Sequence, residues 1–336
     1  MSLNRYRILV TGGQGYIGSY MCKLLHMKGF EVCSFDNNST GNADVSKYAN
    51  VIHGDLHDVK AIDKLFSKNS FDAVIHFAGS SIVSESIDNP HLYYQNNINT
   101  SLNLLNIMIK NKVSSLIFSS TAAIFGNPID KAIDENHPKN PINPYGVSKL
   151  IIEDLIKSYC SYFDLDSVCL RYFNACGCDP DYEFGENHEP ETHLIPLILG
   201  VASGRFDCFS IYGDSYDTRD GTCIRDFIHI HDLCYAHYLS LQKLLKNELS
   251  GINYFNLGNG DGYSVQEVLD CAKKIVSKDR RHIKHNLKNP RLGDPATLIS
   301  NSESARKILN WIPRYTSLDT LIEHAWNWEK RNNKFL

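Results

Sequence analysis

Apolar residues in the first half of the chain fall into short runs of strand length, each followed by a longer stretch with apolar positions three or four apart. The runs are Arg5 to Thr11, Glu31 to Phe35, Asn50 to His53, Asp72 to Phe77, Ser115 to Ser119 and Ser167 to Arg171. Between them, Ile17, Met21, Leu24 and Leu25, and later Leu102, Leu105 and Ile109, recur at helical spacing. Strands that alternate with helices predict right-handed crossovers and a parallel sheet covered on both faces. The expected fold class is α/β, a doubly wound parallel sheet with a smaller C-terminal α/β lobe.

After about residue 175 the rhythm loosens. A polar, proline-containing segment runs from Cys176 to Glu191, and short apolar pieces follow at Cys208 to Tyr212 and Asn253 to Leu257. A strand-like Asp226 to Ile230 precedes a helical stretch from His231 to Leu245, and helical stretches at Ser302 to Leu309 and Leu318 to Arg331 close the chain. The expected division is 1–175 for the sheet domain and 176–336 for the lobe, with some late segments returning to the sheet.

Composition narrows the function classes. The chain has 336 residues, with Lys plus Arg 34 against Asp plus Glu 38. Such a near-neutral balance carries no basic footprint for nucleic acid. No run reaches the roughly 18 apolar residues that suggest a membrane span. The ten cysteines are scattered without a C-x-x-C pair, and the N-terminus enters a strand without a signal-like apolar core. Reduced, mostly buried thiols in a cytoplasmic protein are expected.

The first strand runs into Gly12-Gly13-Gln14-Gly15-Tyr16-Ile17-Gly18, which satisfies G-x-G-x-x-G through Gly13, Gly15 and Gly18 and G-x-x-G-x-x-G through Gly12, Gly15 and Gly18. Either pattern permits a tight turn, close backbone approach to a pyrophosphate and a helix N-terminus aimed at an anion. A glycine-rich turn between strand and helix is also made for purely structural reasons. Asp36 ends the second strand 18 residues past Gly18, near the ~20 expected of a ribose-binding acid. A carboxylate there accepts from the 2′-hydroxyl of NAD and repels the 2′-phosphate of NADP, and no arginine follows in Asn37 to Thr40. NAD is the expected cofactor. Asp55 suits the adenine amine and equally an ordinary helix or turn cap.

Tyr145 and Lys149 stand at i and i+4, on one helix face. A phenol is a poor base at pH 7 until nearby positive charge stabilises its phenolate, which Lys149 and an oxidised nicotinamide both supply. Such a pair is common by chance. Ser119-Ser120-Thr121 at the end of the fifth strand adds a second signal, because ligands bind at the carboxyl edge of a parallel sheet.

With these motifs, together with His76-Phe77-Ala78-Gly79, Tyr94-Gln95-Asn96-Asn97, Leu170 to Asn174, Asp220 to Asp226 and Arg291-Leu292-Gly293-Asp294, the chain resembles the extended short-chain dehydrogenase/reductase family and, within it, the UDP-glucose 4-epimerases. The resemblance spans nearly the whole chain. It implies NAD-dependent epimerisation at C4 of a UDP-hexose, through hydride transfer to NAD, a 4-keto sugar and return on the other face, by a homodimer paired through the helices around Leu92 to Lys110 and Tyr145 to Tyr162. Its implied catalytic residues are Tyr145 as acid/base, Lys149 to lower the phenol's pKa and hold the nicotinamide ribose, and Thr121 on the reacting hydroxyl.

For the cofactor the resemblance implies Gly12, Gly15, Tyr16, Ile17, Gly18, Asp36, Asn37, Asp55, Leu56, Phe77, Ala78, Gly79, Asn96, Tyr145, Lys149 and Tyr172. For the UDP-sugar it implies Thr121, Tyr145, Asn174 and His193, with Tyr212 near uracil, Arg225 and Arg291 on the diphosphate, Asp294 on the uridine ribose and Leu298 at the sugar. Without the family, Asn174, Tyr212, Arg225, Arg291 and Asp294 read rather as surface salt bridges, caps or core aromatics. Ser81 stands where many relatives have a lysine, and His193 replaces a substrate-facing Asn. Leu298 stands where a bulky aromatic excludes N-acetylated sugars, which leaves UDP-GlcNAc and UDP-GalNAc open as substrates, as also UDP-uronates.

No metal is expected. His188 and His193 are five apart with Pro190 between them and cannot share a helix face, and His229 with His231, and His282 with His285, have no third ligand by spacing. Two rival functions remain at this point: a nucleotide-sugar 4,6-dehydratase, whose family carries an Asp-Glu pair where this chain has Thr121 and Ala122, and a non-catalytic NAD-binding protein on the same fold.

Overall fold

The strand-length runs form one sheet because their side chains alternate between two apolar layers. The computed structural model describes residues 6–291 and 294–332. In it β1 (Arg7–Thr11), β2 (Glu31–Asp36), β3 (Asn50–His53), β4 (Ala73–His76), β5 (Ser115–Thr121) and β6 (Asp166–Tyr172) lie parallel in the order β6-β5-β4-β1-β2-β3. Ile8, Val10, Ile75, Ile117 and Val168 enter one core, while Leu9, Val74, Leu116, Phe118 and Cys169 enter the other. Burial on both faces is why these strands read as continuous apolar runs.

Helix α1 (Tyr16–Met27) covers the first face. The second is covered by α2 (Val59–Lys68), by α5 (Thr100–Lys110) and by α6 (Pro144–Tyr162), after the short α3 (Val83–Asp88) and α4 (Pro90–Tyr93). A π-helical stretch, Tyr94–Asn99, joins α4 to α5. The buried pair Arg171–Glu153, bidentate at 2.9 and 2.6 Å, ties β6 to α6 and takes a further bond from Ser120 Oγ.

Beyond residue 173 the chain builds the lobe from β7 (Asn174–Cys176), β8 (Phe209–Tyr212) and β9 (Ile224–His229), and then returns. β10 (Ile252–Leu257) joins the main sheet beside β6, in register Leu257 with Tyr172, as its seventh strand. The remaining strands are β11 (Gly262–Ser264), β12 (His285–Lys288) and β13 (Thr297–Leu298), with β7, β11 and β13 all pairing to β9 and β12 to β8. Helices α7 (Leu194–Ser203), α9 (Val265–Ser277) and α11 (Leu318–Asn332) enclose the lobe's core, while α8 (Ile230–Leu245) and α10 (Glu303–Leu309) pack on the first face of the main sheet.

The differences from the expected elements are local. The strand expected at Asp226 to Ile230 is Ile224–His229, because the His229 side chain accepts from His231 N and starts α8 at Ile230. Arg5, and Leu292 and Gly293 of the Arg291-to-Asp294 segment, lie outside the described residues. All ten cysteines are free thiols and seven are buried. Among the described residues, no helix is long and apolar enough to cross a membrane.

Candidate active site

The carboxyl ends of the strands open into a cavity of about 520 Å³. In a doubly wound sheet this is where ligands bind, beside the switch point between β1 and β4. Gly12, Gly15 and Gly18 line the cavity, whereas Gly13 faces β2, where an added Cβ would stand 2.4 Å from Ser34 Oγ. The wider-spaced glycine pattern is thus the one that meets the cavity. A Cβ on Gly18 would fall 2.0 Å from Gly12 O, so only glycine lets α1 approach the turn this closely. Gly15, the N-cap, has no side chain to occupy the helix's free N–H groups.

All sixteen residues expected at the cofactor line this one cavity. Asp36, at the end of β2, accepts from Gln14 N at 2.9 Å and Asn38 N at 2.8 Å. That uses two of a carboxylate's roughly four acceptor positions. Asp55 accepts from Asn37 Nδ2 at 3.0 Å and from His57 N at 2.8 Å, while the cap of α2 is Asp58. Asn96 bonds Ser80 Oγ, and Asn97 bonds the Ser80 backbone and Ser148 Oγ, so the π-helical stretch braces the β4 loop against α6. Tyr16 OH donates to Gly177 O at 2.7 Å, and Tyr172 OH bonds Ser119 Oγ. Ser81 also lines the cavity. A glycine cradle, a bare helix N-terminus and an acid at the end of β2 together fit a dinucleotide with a free ribose, as NAD has.

The chemistry sits where β5 meets α6. Asn143 caps α6 by accepting from Gly146 N at 2.8 Å, and Pro144 takes the first helical position, where no N–H is needed. A Cβ on Gly146 would lie 2.5 Å from Ala123 O, so this glycine lets α6 close on the turn that follows Thr121. Thr121 Oγ1 accepts from Ala123 N at 3.1 Å, which leaves its hydroxyl proton available for donation. Burial pushes the Tyr145 phenol up, and the Thr121 hydrogen bond opposes that rise. Lys149 is 5% exposed, donates to Ser119 O at 2.9 Å and lies 4.8 Å from the Phe118 ring centre. Burial lowers its ammonium to about 8, against the pull of the Glu153 carboxylate one turn on, so it is charged at pH 7.

The residues expected at the UDP-sugar divide. Thr121, Tyr145, Asn174, His193 and Leu298 line the cavity. Tyr212, Arg225, Arg291 and Asp294 are not among its lining residues. Arg225 donates to Asp294 Oδ1 at 2.9 Å and to Pro295 O at 2.8 Å, and the Arg291 guanidinium lies 3.9 Å from the Tyr212 ring centre. The small sheet orders these groups: Leu298 on β13 pairs with Arg225, and Asn174 on β7 with Phe227.

Sequence reasoning passed over Ser80 and Glu186, and gave Ser119 no role of its own within its motif. Ser119 lies among the last residues of β5 and Ser80 in the loop after β4, both at the carboxyl edge of the sheet, a position that is itself a signal. Glu186 is buried beside His193 Nδ1 and 3.2 Å from His188 Nδ1. Burial favours its neutral form, but the two imidazoles outweigh that and hold it at about 2, while Glu186 pushes His193 up to about 9. The two histidines do not share a helix, as expected. The loop between β7 and α7 nevertheless brings them together, with ring centres 5.3 Å apart.

A family model described as GDP-mannose 4,6 dehydratase matches residues 9–325. A UDP-glucose 4-epimerase of Halalkalibacterium halodurans is 46% identical over 97% of this chain and 96% of its own. Among solved structures, UDP-glucose 4-epimerase from Brucella ovis in complex with NAD is 39% identical with a TM-score of 0.92, over 96% of this chain and 98% of that one. The enzyme from Bifidobacterium longum in complex with NAD+ and UDP is 34% identical with a TM-score of 0.91, over 98% of this chain and 100% of that one. Near-complete coverage of both chains at this identity makes the chain a member of the UDP-glucose 4-epimerase family, within the extended short-chain dehydrogenases/reductases.

Proposed function

We propose that this protein interconverts UDP-glucose and UDP-galactose by inverting C4, with NAD retained through the cycle. The observation that carries this reading is that Thr121, Tyr145 and Lys149 line the same cavity as the glycine turn. When bound, NAD supplies the acceptor and donor of hydride at C4. Tyr145 takes the C4 hydroxyl proton as that carbon is oxidised and returns it after the keto sugar has presented its other face. Thr121 orients the hydroxyl, and the Lys149 charge stabilises phenolate against the burial that disfavours it. The sixteen cofactor-lining residues named above hold the dinucleotide. Asn174, Arg225 and Arg291 bind the diphosphate, Asp294 the ribose and Tyr212 the uracil side, while His193 donates to phosphate. Few groups hold the hexose itself, which must turn over between the two transfers.

Elimination, the dehydratase reaction, needs further acid/base groups. Beside Thr121 this cavity has Ala122 and Ala123. The wider reading assigns the protein to galactose metabolism in the cytoplasm, as a homodimer pairing the helices at 92–110 and 145–162. Exposed Tyr94, Ile151 and Tyr162 on those helices support that pairing. Use of N-acetylated UDP-hexoses is a second reading, favoured by aliphatic Leu298 in the cavity wall.

The test is incubation of purified protein with a panel of UDP-sugars, followed by separation of 4-epimers. UDP-glucose and UDP-galactose should interconvert without added oxidant. Net reduction of NAD without epimer formation would remove the proposal.

A further inference from the structure

The loop between β7 and α7 carries a cluster of which the epimerase reading uses only His193. Glu186, His188, Glu191 and His193 each present one ligand atom, and these four atoms all lie within 4.8 Å of one another. His188 Nδ1 is 3.2 Å from Glu186 Oε1 and 4.0 Å from Glu191 Oε1, and His193 Nδ1 is 3.9 Å from Glu191 Oε1. Four ligands at roughly 2.1 Å around a tetrahedral ion stand about 3.4 Å apart. Side-chain shifts of well under an ångström for most pairs convert one arrangement into the other.

A second observation points to a missing partner. The Glu191 side chain is 1% exposed, and its Oε1 accepts from Thr192 N and His193 N at 2.8 and 2.9 Å. Its Oε2 is buried without any hydrogen-bond partner. An unmet carboxylate oxygen in the interior is costly unless something cationic or donating faces it. A second buried carboxylate, Glu186, stands beside it, and the pair has only two imidazoles against it in the cluster.

We propose that Glu186, His188, Glu191 and His193 form a closed four-ligand site for one divalent transition-metal ion of the zinc type. Two imidazoles with two carboxylates suit zinc, cobalt or nickel better than magnesium or calcium, which favour all-oxygen sets. Four protein ligands leave no open position, so the ion is structural and not catalytic. It pins the 177–193 segment where that segment meets the cavity, with His188 edge-on to Tyr16 at 6.3 Å. Ligation through Nδ1 also leaves the His193 proton on Nε2, making that nitrogen an obligate donor in a ring that lines the cavity.

The test uses full-length protein, freed of any affinity tag and treated with chelator, then titrated with Co²⁺ and followed by visible absorption. One equivalent should give the intense bands of tetrahedral cobalt, and Zn²⁺ should abolish them. His188→Ala and Glu191→Gln should each weaken binding by roughly 100-fold or more, since outer hydrogen-bond partners of metal ligands alone are worth 10–100-fold. Glu191→Gln keeps the shape of the side chain, and near-ultraviolet circular dichroism checks that the variant is folded. His285→Ala, at an exposed histidine on β12, should bind Co²⁺ as the parent does. Absence of the tetrahedral bands, or equal Co²⁺ affinity in folded Glu191→Gln and the parent, overturns the site.

Discussion

The glycine turn after β1 and the arginines at 225 and 291 are both assigned to phosphates, yet they are prepared in opposite ways. The turn presents main-chain N–H groups held by the close contact of Gly18 with Gly12 O, and it opens directly on the cavity. The arginines have partners already: Arg225 holds Asp294 and two carbonyls, and Arg291 lies over Tyr212. A cofactor entering the first half finds its donors waiting. On the proposed assignment, a nucleotide sugar reaching the second must exchange a carboxylate for a phosphate on Arg225, and some binding energy goes into that rearrangement. The contrast suits an enzyme that retains one ligand through many turnovers and releases the other in each.

Four substitutions test that contrast. Tyr145→Phe should have the largest effect, lowering kcat by about 10²–10⁴-fold while NAD stays bound, because only proton transfer is removed. Loss of NAD absorbance from that variant would show that the two halves are not separable. Lys149→Met should abolish most activity and yet stabilise the cofactor-free protein at pH 7. At about 1.4 kcal/mol per tenfold change in proton affinity, lowering the ammonium from 10.5 to about 8 is worth about 3 kcal/mol. That penalty is fully present below pH 8 and is relieved as pH rises toward 10.5, since the unfolded chain holds the proton longer. Denaturant melts should therefore place the variant above the parent at pH 7, with the gap narrowing at pH 9.5. A gap independent of pH would contradict the assignment of the penalty to Lys149.

Arg291→Ala comes next. A charge-assisted hydrogen bond worth about 1.5–3 kcal/mol predicts a KM for UDP-galactose raised roughly 10–150-fold, with kcat and bound NAD little changed. A fall in kcat with KM unaltered would place Arg291 outside the nucleotide half. Leu298→Tyr should have the smallest effect, reducing use of UDP-GalNAc about tenfold relative to UDP-galactose by filling the sugar end of the cavity. Equal losses on both sugars would remove Leu298 from that wall.

Much of the cofactor half was legible because its signals are short-range. Gly12 to Gly18 is one turn, Asp36 ends the next strand, and Tyr145 and Lys149 are one helical turn apart. The nucleotide half was legible only through family resemblance. Its framework depends on β13, two residues long, pairing with β9 more than 70 positions earlier, and no periodicity in two residues announces a strand. Helix α9 was overlooked although Ser264 and Glu267 form a full capping box ahead of an amphipathic run. That signal was present and local.

The chain's own order of residues determined the alternation of strand and helix, the anion-ready turn and the shared face of Tyr145 and Lys149, since each depends on neighbours within a few positions. Tertiary structure alone decided that α6 approaches Ala123 closely enough to set Thr121 and Tyr145 in one cavity, and that an irregular loop gathers His188 and His193 around two glutamates. Both depend on how segments distant in sequence pack, and backbone approach and side-chain convergence of that kind leave no repeating pattern to read.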